Sequence, residues 1–129
     1  MKNLDINAFV NSYLATASWV TIDDCSECSD FTREAKIKAR KDCETFISRV
    51  VFVFGKDKAE ELLTIPGNDL TYLAPHDFFL TRNGHGAGFW DSPNIYGEDE
   101  SEGLTRISQE MRGADCYHVR GPKSKLTFN

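Results

Sequence analysis

Residues 76–91, His76-Asp77-Phe78-Phe79-Leu80-Thr81-Arg82-Asn83-Gly84-His85-Gly86-Ala87-Gly88-Phe89-Trp90-Asp91, gather the side chains of this chain most able to do chemistry. Two of its three histidines lie here, with aspartates near both ends and an arginine in the middle. A histidine beside an aspartate can act as a general base oriented by the carboxylate, and the same pair can ligate a metal ion. His76, Asp77, His85 and Asp91 are therefore the candidate catalytic residues. Arg82, Asn83, Gly84, His85, Gly86 and Trp90 are the candidate binding residues, joining a cation, a backbone-rich turn and an indole. Outside this stretch, Cys25 and Cys28 form a lone CxxC and are the only candidate metal ligands. A zinc site wants a second cysteine pair or closely spaced histidines, so no metal is expected there. No GxSxG pattern is present, and the glycines at 84, 86 and 88 lack the strand-to-helix setting of a phosphate loop, so no cofactor is expected.

These residues need elements to position them. Asn83-Gly84 between two aromatic-rich runs predicts a β-hairpin with a type I′ turn, which requires positive φ at both central residues. The register then sets Arg82 opposite His85, Phe79 opposite Gly88 and His76 opposite Asp91, a polar pair at the hairpin base. Alternation puts His76, Phe78, Leu80, Arg82, His85, Ala87, Phe89 and Asp91 on one face. On the other face Gly86 and Gly88 let Phe79 or a helix approach the strand backbone. The same register holds His76 and His85 apart, which argues against one compact site using both. The competing reading makes residues 83–88 a wider loop whose amides form an anion-binding nest beside Arg82 and His85.

Upstream, helical periodicity is clear. Asp5 is placed to cap a first helix carrying Ile6, Phe9, Val10, Tyr13, Leu14 and Ala17 on one face. Residues 21–30 read as an acidic polar loop. Thr32 is a good cap for a second helix, with Ala35, Ala39, Cys43, Phe46, Ile47, Val50, Val51 and Phe54 inward and Gly55 as its stop. Lys36, Lys38, Arg40 and Lys41 make its solvated face, diluted by acidic neighbours. Asp57 and Glu60 have capping-box spacing for a short third helix with Ala59, Leu62 and Leu63, ended by Pro66-Gly67. Residues 68–75 read as a linker, and Tyr96–Gly103 as an acidic loop. A fourth helix fits Leu104–Arg112, and Cys116–Arg120 with Lys125–Phe128 fit strands around a Gly121-Pro122 turn. The expectation is a single α+β domain over residues 1–129, helical to about 66 and sheet-containing from about 70. Its N-terminal helices pack on a small antiparallel sheet built from two hairpins flanking a fourth helix.

Bulk composition narrows the function. A 129-residue chain, 40% hydrophobic and 12% aromatic, can bury a core without staples. A net charge of −5 argues against generic duplex binding, where a basic footprint is expected. No run approaches the roughly 18 apolar residues of a bilayer span, and Met1-Lys2-Asn3-Leu4-Asp5 carries no hydrophobic signal core. The expectation is a cytoplasmic protein with reduced thiols, Cys43 being an ordinary buried one.

The central motif also carries a resemblance. HDFFLTRNGHGAGFWD is similar to a stretch, typically HDFWLTRNGHGAGFWD, in a family of small bacteriophage-encoded proteins of uncharacterised function. The likeness extends more weakly over residues 9–91, through Asn11–Trp19, the acidic loop and Phe31-Thr32-x-Glu34-Ala35. Phe79 stands where tryptophan is usual, and Ser92-Pro93 where a basic residue and glycine are usual. The resemblance implies a phage accessory protein in the host cytoplasm, and assigns no catalytic residue. A binding role leads, with a host protein as favoured partner and host takeover or anti-defence as the setting. One alternative is a metal- or base-dependent hydrolase around His76, Asp77, His85 and Asp91. The other is single-strand nucleic-acid binding, with Arg82, Arg120, Lys123 and Lys125 neutralising phosphate and Phe78, Phe89, Trp90 and Tyr117 stacking bases.

Overall fold

A computed structural model describes residues 1–21, 30–119 and 125–128. Two long helices supply the frame. α1 (Ile6–Thr21) starts where the Asp5 carboxylate accepts the Asn7 and Ala8 amides at 3.0 and 3.3 Å. α2 (Arg33–Phe54) starts at Thr32, whose hydroxyl accepts the Ala35 amide at 3.1 Å, and stops at Gly55 with φ +84°. Both present the expected apolar faces: Phe9, Val10, Tyr13 and Ala17 from α1, and Ala35, Ala39, Cys43, Phe46 and Val50 from α2, all buried. α3 (Lys56–Leu63) follows at once and buries Ala59, Leu62 and Leu63. It begins at Gly55 with no side-chain cap, so the Asp57–Glu60 capping box does not form.

The main departure comes at residues 74–91, which form no hairpin. Ala74–Arg82 is a helix, α4, followed by a tight return and a 3₁₀ turn at Phe89–Asp91. The expected strand register, His76 against Asp91 and Phe79 against Gly88, is absent. Pro75 sits in the first turn, where its missing N–H costs nothing, and Arg82 sits in the last turn. Almost every residue of α4 is buried, so the helix has no polar stripe to announce its 3.6-residue period. Asn83-Gly84 does mark a backbone reversal, but of a different kind. Gly84, at φ +71°, ends the helix: its amide donates to Thr81 at 3.3 Å and the His85 amide donates to Leu80 at 3.0 Å. That paired closure is the glycine stop common to helix C-termini.

After α5 (Pro93–Tyr96), α6 spans Glu98–Glu110, so the acidic run expected as a loop is its first two turns. Glu98, Asp99 and Glu100 are stabilising at the positive end of the helix dipole. β1 (Cys116–Val119) and β2 (Lys125–Phe128) pair antiparallel, Cys116 against Phe128 and Val119 against Lys125. Among the described residues the fold is thus mostly helical with one two-stranded antiparallel sheet, in place of the two hairpins expected. Helices run well past residue 66, and both strands lie after residue 115. Leu126 ties the sheet to the start of α2, accepting from the Thr32 amide and donating to Asp30, both at 2.9 Å.

The core is a stack of aromatic rings around α4. Phe46 and Phe78 lie 4.1 Å apart, nearly parallel, and Phe89 stacks on Phe46 at 5.9 Å. Tyr13 packs at 5.4 Å from both Phe78 and Phe79. Each fully buried phenylalanine contributes about 2–3 kcal/mol by leaving water. Three aromatics of the central motif, Phe78, Phe79 and Phe89, are therefore core residues.

Candidate functional site

α4 sorts the motif residues onto its two ends. Near its start, His76 Nδ1 lies 3.1 Å from Asp77 Oδ1, and the Tyr96 hydroxyl donates to Asp77 Oδ2 at 2.7 Å. Asp77 is buried, so both carboxylate oxygens are matched to protein donors, as a polar group removed from water requires. Burial, reinforced by the adjacent Asp77, pushes the Tyr96 phenol far up and keeps it a hydrogen-bond donor. An Asp77 carboxylate at this distance favours the tautomer with the proton on Nδ1, which leaves Nε2 of His76 as the acceptor. His76 lines a cleft of about 440 Å³ together with Thr16, Trp19, Asn68, Asp69 and Leu73. Trp19, 66% exposed, faces the imidazole at 6.4 Å. This is the one place where two of the four candidate catalytic residues meet.

The other two lie elsewhere. His85 follows the far end of α4, stacks on Phe79 at 5.9 Å, and stands 3.8 Å from the exposed Asp115, too far for a hydrogen bond. Asp91 accepts the Gly88 amide at 3.1 Å and shapes the 3₁₀ turn. His76, Asp77, His85 and Asp91 thus do not converge. Among the described residues no group of three or more His, Cys, Asp or Glu side chains is placed to hold a metal ion. Cys25 and Cys28 lie outside the described residues.

The candidate binding residues are mostly turned inward. Arg82 is buried: Nη1 donates to Asp42 at 2.8 Å and to the Tyr13 hydroxyl at 3.2 Å, Nε to the Arg112 carbonyl at 2.8 Å, and Nη2 to Met111 at 3.3 Å. It ties α1, α2 and the end of α6 together, with its guanidinium over the Phe78 ring. Burial works against its charge, but Tyr13 and Asp42 more than offset this and raise its pKa. Asn83 clamps the same junction, donating to Phe79 at 3.0 Å and accepting the Ala114 amide at 2.6 Å. Gly84 and Gly86 are exposed, whereas Gly88, at φ +141°, lies against Thr81, and any Cβ there would collide with the Thr81 hydroxyl. So Gly88 rests on Thr81 rather than beneath Phe79, and Gly86 faces open space. The Thr81 hydroxyl in turn accepts the Phe89 amide at 3.0 Å. An anion nest at 83–88 is not formed, because the Gly84, His85, Ala87 and Gly88 amides all donate to protein acceptors.

For single-strand binding, Phe78 and Phe89 are fully buried and Arg82 is internally bonded, so none can meet a base or a phosphate. Trp90 and Tyr117 remain exposed, Lys125 is partly so, and Arg120 and Lys123 lie outside the described residues.

A second surface was not anticipated from the motif. Phe52 is 90% exposed on α2, beside Val53 at 54%. They edge a shallow groove of about 750 Å³ between α2 and α6, lined also by Lys41, Glu44, Arg49 and Ile107. Ile37, also exposed, lies on the same outer stripe through Lys41, Glu44 and Ser48 to Phe52. The available signal was the run Val50-Val51-Phe52-Val53-Phe54, five apolar residues where one helical face can bury only two or three. Tyr96, Asp42 and Tyr13, which hold Asp77 and Arg82, were also missed, since nothing in their spacing links them to residues 76–91.

No family model, curated protein or solved structure matches this chain.

Proposed function

We propose that this protein acts by binding another protein through the outer face of α2, as a phage accessory protein engaging a host protein. The observation that carries the reading is Phe52, 90% exposed beside Val53 on the edge of the α2–α6 groove. Covering one such ring contributes about 2 kcal/mol to association, and clustered apolar exposure marks interaction surfaces. The rim carries Lys41 and Arg49 together with Glu44 and Glu110. Alternating charge of this kind matches a protein surface with both signs, and would repel as much of a polyanion as it attracts. Among the described residues no helix is long and apolar enough to cross a membrane. The test is affinity capture from host lysate with the wild-type chain and a Phe52→Ser variant, followed by binding of the identified partner in purified form. Binding lost in Phe52→Ser, with an unchanged circular dichroism spectrum, supports the reading. A partner held equally by both chains, or none above background, refutes it.

A second reading rests on one specific observation, the His76–Asp77–Tyr96 chain behind the Trp19 cleft. Asp77 holds the imidazole so that Nε2 could take a proton from a water or a ligand hydroxyl in the cleft, the work of a base-dependent hydrolase. Its volume is in the range of small-molecule sites. Hydrolysis of generic ester or phosphodiester substrates, present in wild type and lost in His76→Gln, would favour it. Activity unchanged in that variant would remove it.

A further inference from the structure

The flank of α6 facing away from α2 carries a second, smaller notch of about 350 Å³, lined by Trp90, Pro93, Glu98, Ser101, Glu102 and Thr105. Its composition is unlike that of the α2 groove. Trp90 is 55% exposed immediately after the fully buried Phe89, so the 3₁₀ turn anchors one ring and leaves the next in solvent. Glu98 and Glu102, four residues apart, lie on one side of α6 and put two carboxylates beside that indole. Ser101 in the same lining is only 3% exposed, and its hydroxyl has no hydrogen-bond partner among the described residues. The helix dipole accounts for Glu98, Asp99 and Glu100 in the first turn. It does not account for Glu102, for an exposed tryptophan, or for an orphaned hydroxyl.

We propose that this notch binds the guanidinium group of an arginine on a basic segment of a partner protein. A guanidinium is planar: it can stack on one indole face while its N–H fork bonds carboxylates at its edge. An ammonium group has no plane to stack, and one aromatic wall does not make the cage that a methylated lysine needs. The flank already holds a guanidinium of its own. Arg106 Nη2 lies 3.4 Å from Glu102, with both side chains about 70% exposed (70% and 73%), a pair weak enough for an incoming arginine to displace. The site lies on the opposite side of α6 from the Phe52 groove and does not depend on it.

The experiment follows Trp90 fluorescence in a Trp19→Phe background while a capped peptide of alternating glycine and arginine is added at low salt. A saturable change is expected. Glu98→Gln with Glu102→Gln should weaken it about tenfold, the sum of two exposed charge contacts and their support of the stack. A matched glycine–lysine peptide should bind several-fold more weakly. Arg106→Gln, by freeing Glu102, should strengthen binding about twofold. Absence of a saturable change, equal affinity in the double glutamine variant, equal affinity for the lysine peptide, or weaker binding by Arg106→Gln would each overturn the proposal. Phe52→Ser should leave this titration unchanged, so failure here and failure of the α2 surface are read separately.

Discussion

Replacing Arg82 by methionine tests whether the central motif is structural. The guanidinium is bonded to Asp42, Tyr13 and the carbonyls of Met111 and Arg112, with 3% of its side chain exposed. Removing one member of a buried ion pair costs about 3–5 kcal/mol, because the other charge is left uncompensated. Here Asp42 keeps Lys38 at 3.2 Å and is 16% exposed, which softens that term. The two carbonyls at the end of α6 lose their donors, adding about 1 kcal/mol or more. A net loss of about 3–4 kcal/mol is expected, a large share of the roughly 5–15 kcal/mol that stabilises a domain. Urea denaturation followed by circular dichroism should show it as a midpoint lowered by about 2 M, for a slope near 1.5 kcal/mol per M. Arg82→Lys should recover part of the loss, since an ammonium can reach Asp42 but cannot fork to the carbonyls. Asp42→Asn combined with Arg82→Met should be less damaging than the sum of the single changes. If Arg82→Met lies within about 0.5 kcal/mol of wild type, the range of ordinary surface changes, Arg82 is not the tie between helices described here.

Three glycines give graded outcomes in thermal denaturation. Gly88→Ala should cost about 2 kcal/mol or more, from the collision with Thr81 at a positive φ. Gly84→Ala, in open space at φ +71°, should cost about 1 kcal/mol, and Gly86→Ala almost nothing. Tyr96→Phe should destabilise by about 1–3 kcal/mol, because the buried Asp77 carboxylate loses a donor; an unchanged midpoint would contradict the assigned bond. Burial raises the Cys43 thiol and the Tyr13 and Tyr96 phenols in the folded chain. The unfolded chain therefore ionises first as pH rises. Their contribution is complete below about pH 8.5 and is lost above it, from Cys43 first and from the two phenols beyond about pH 10. Denaturation midpoints should decline over that alkaline range, with the first part of the decline reduced in Cys43→Ala and the remainder carried by Cys116, whose thiol burial also raises.

What could be read from the residues depended on how many sides of an element face water. α1 and α2 each have one wet face, so their apolar stripes and the caps at Asp5 and Thr32 were legible, as was the pairing of residues 116–119 with 125–128. α4 is buried all round except at His76, so its period was hidden and Asn83-Gly84 between aromatic-rich runs suggested strands instead. Asn83-Gly84 marked a backbone needing positive φ, a need shared by hairpin turns and helix stops. Pro75, nine residues before Gly84, was the signal for the helix. The acidic run at 98–102 looked like a loop because its carboxylates suit either solvent or a helix start. Arg82 suggested a surface cation because arginine is so seldom buried, and its partner Asp42 lies forty residues away in sequence. His76 and Asp77 are neighbours in the chain, but Tyr96, which completes that network, could be found only in space.

The all-round burial of α4 bears on how the chain can change over generations. A helix with one wet face has positions where substitutions can drift freely; residues 77–82 have none, since Asp77, Phe78, Phe79, Leu80, Thr81 and Arg82 are all enclosed. A saturation library would find these positions about as intolerant as a catalytic loop, through volume and hydrogen-bond matching alone. Innovation in such a chain is channelled outward, to Phe52 and Ile37 on α2 and to Trp90 beside α6, where new contacts can be tried without disturbing the helix that everything else is built around.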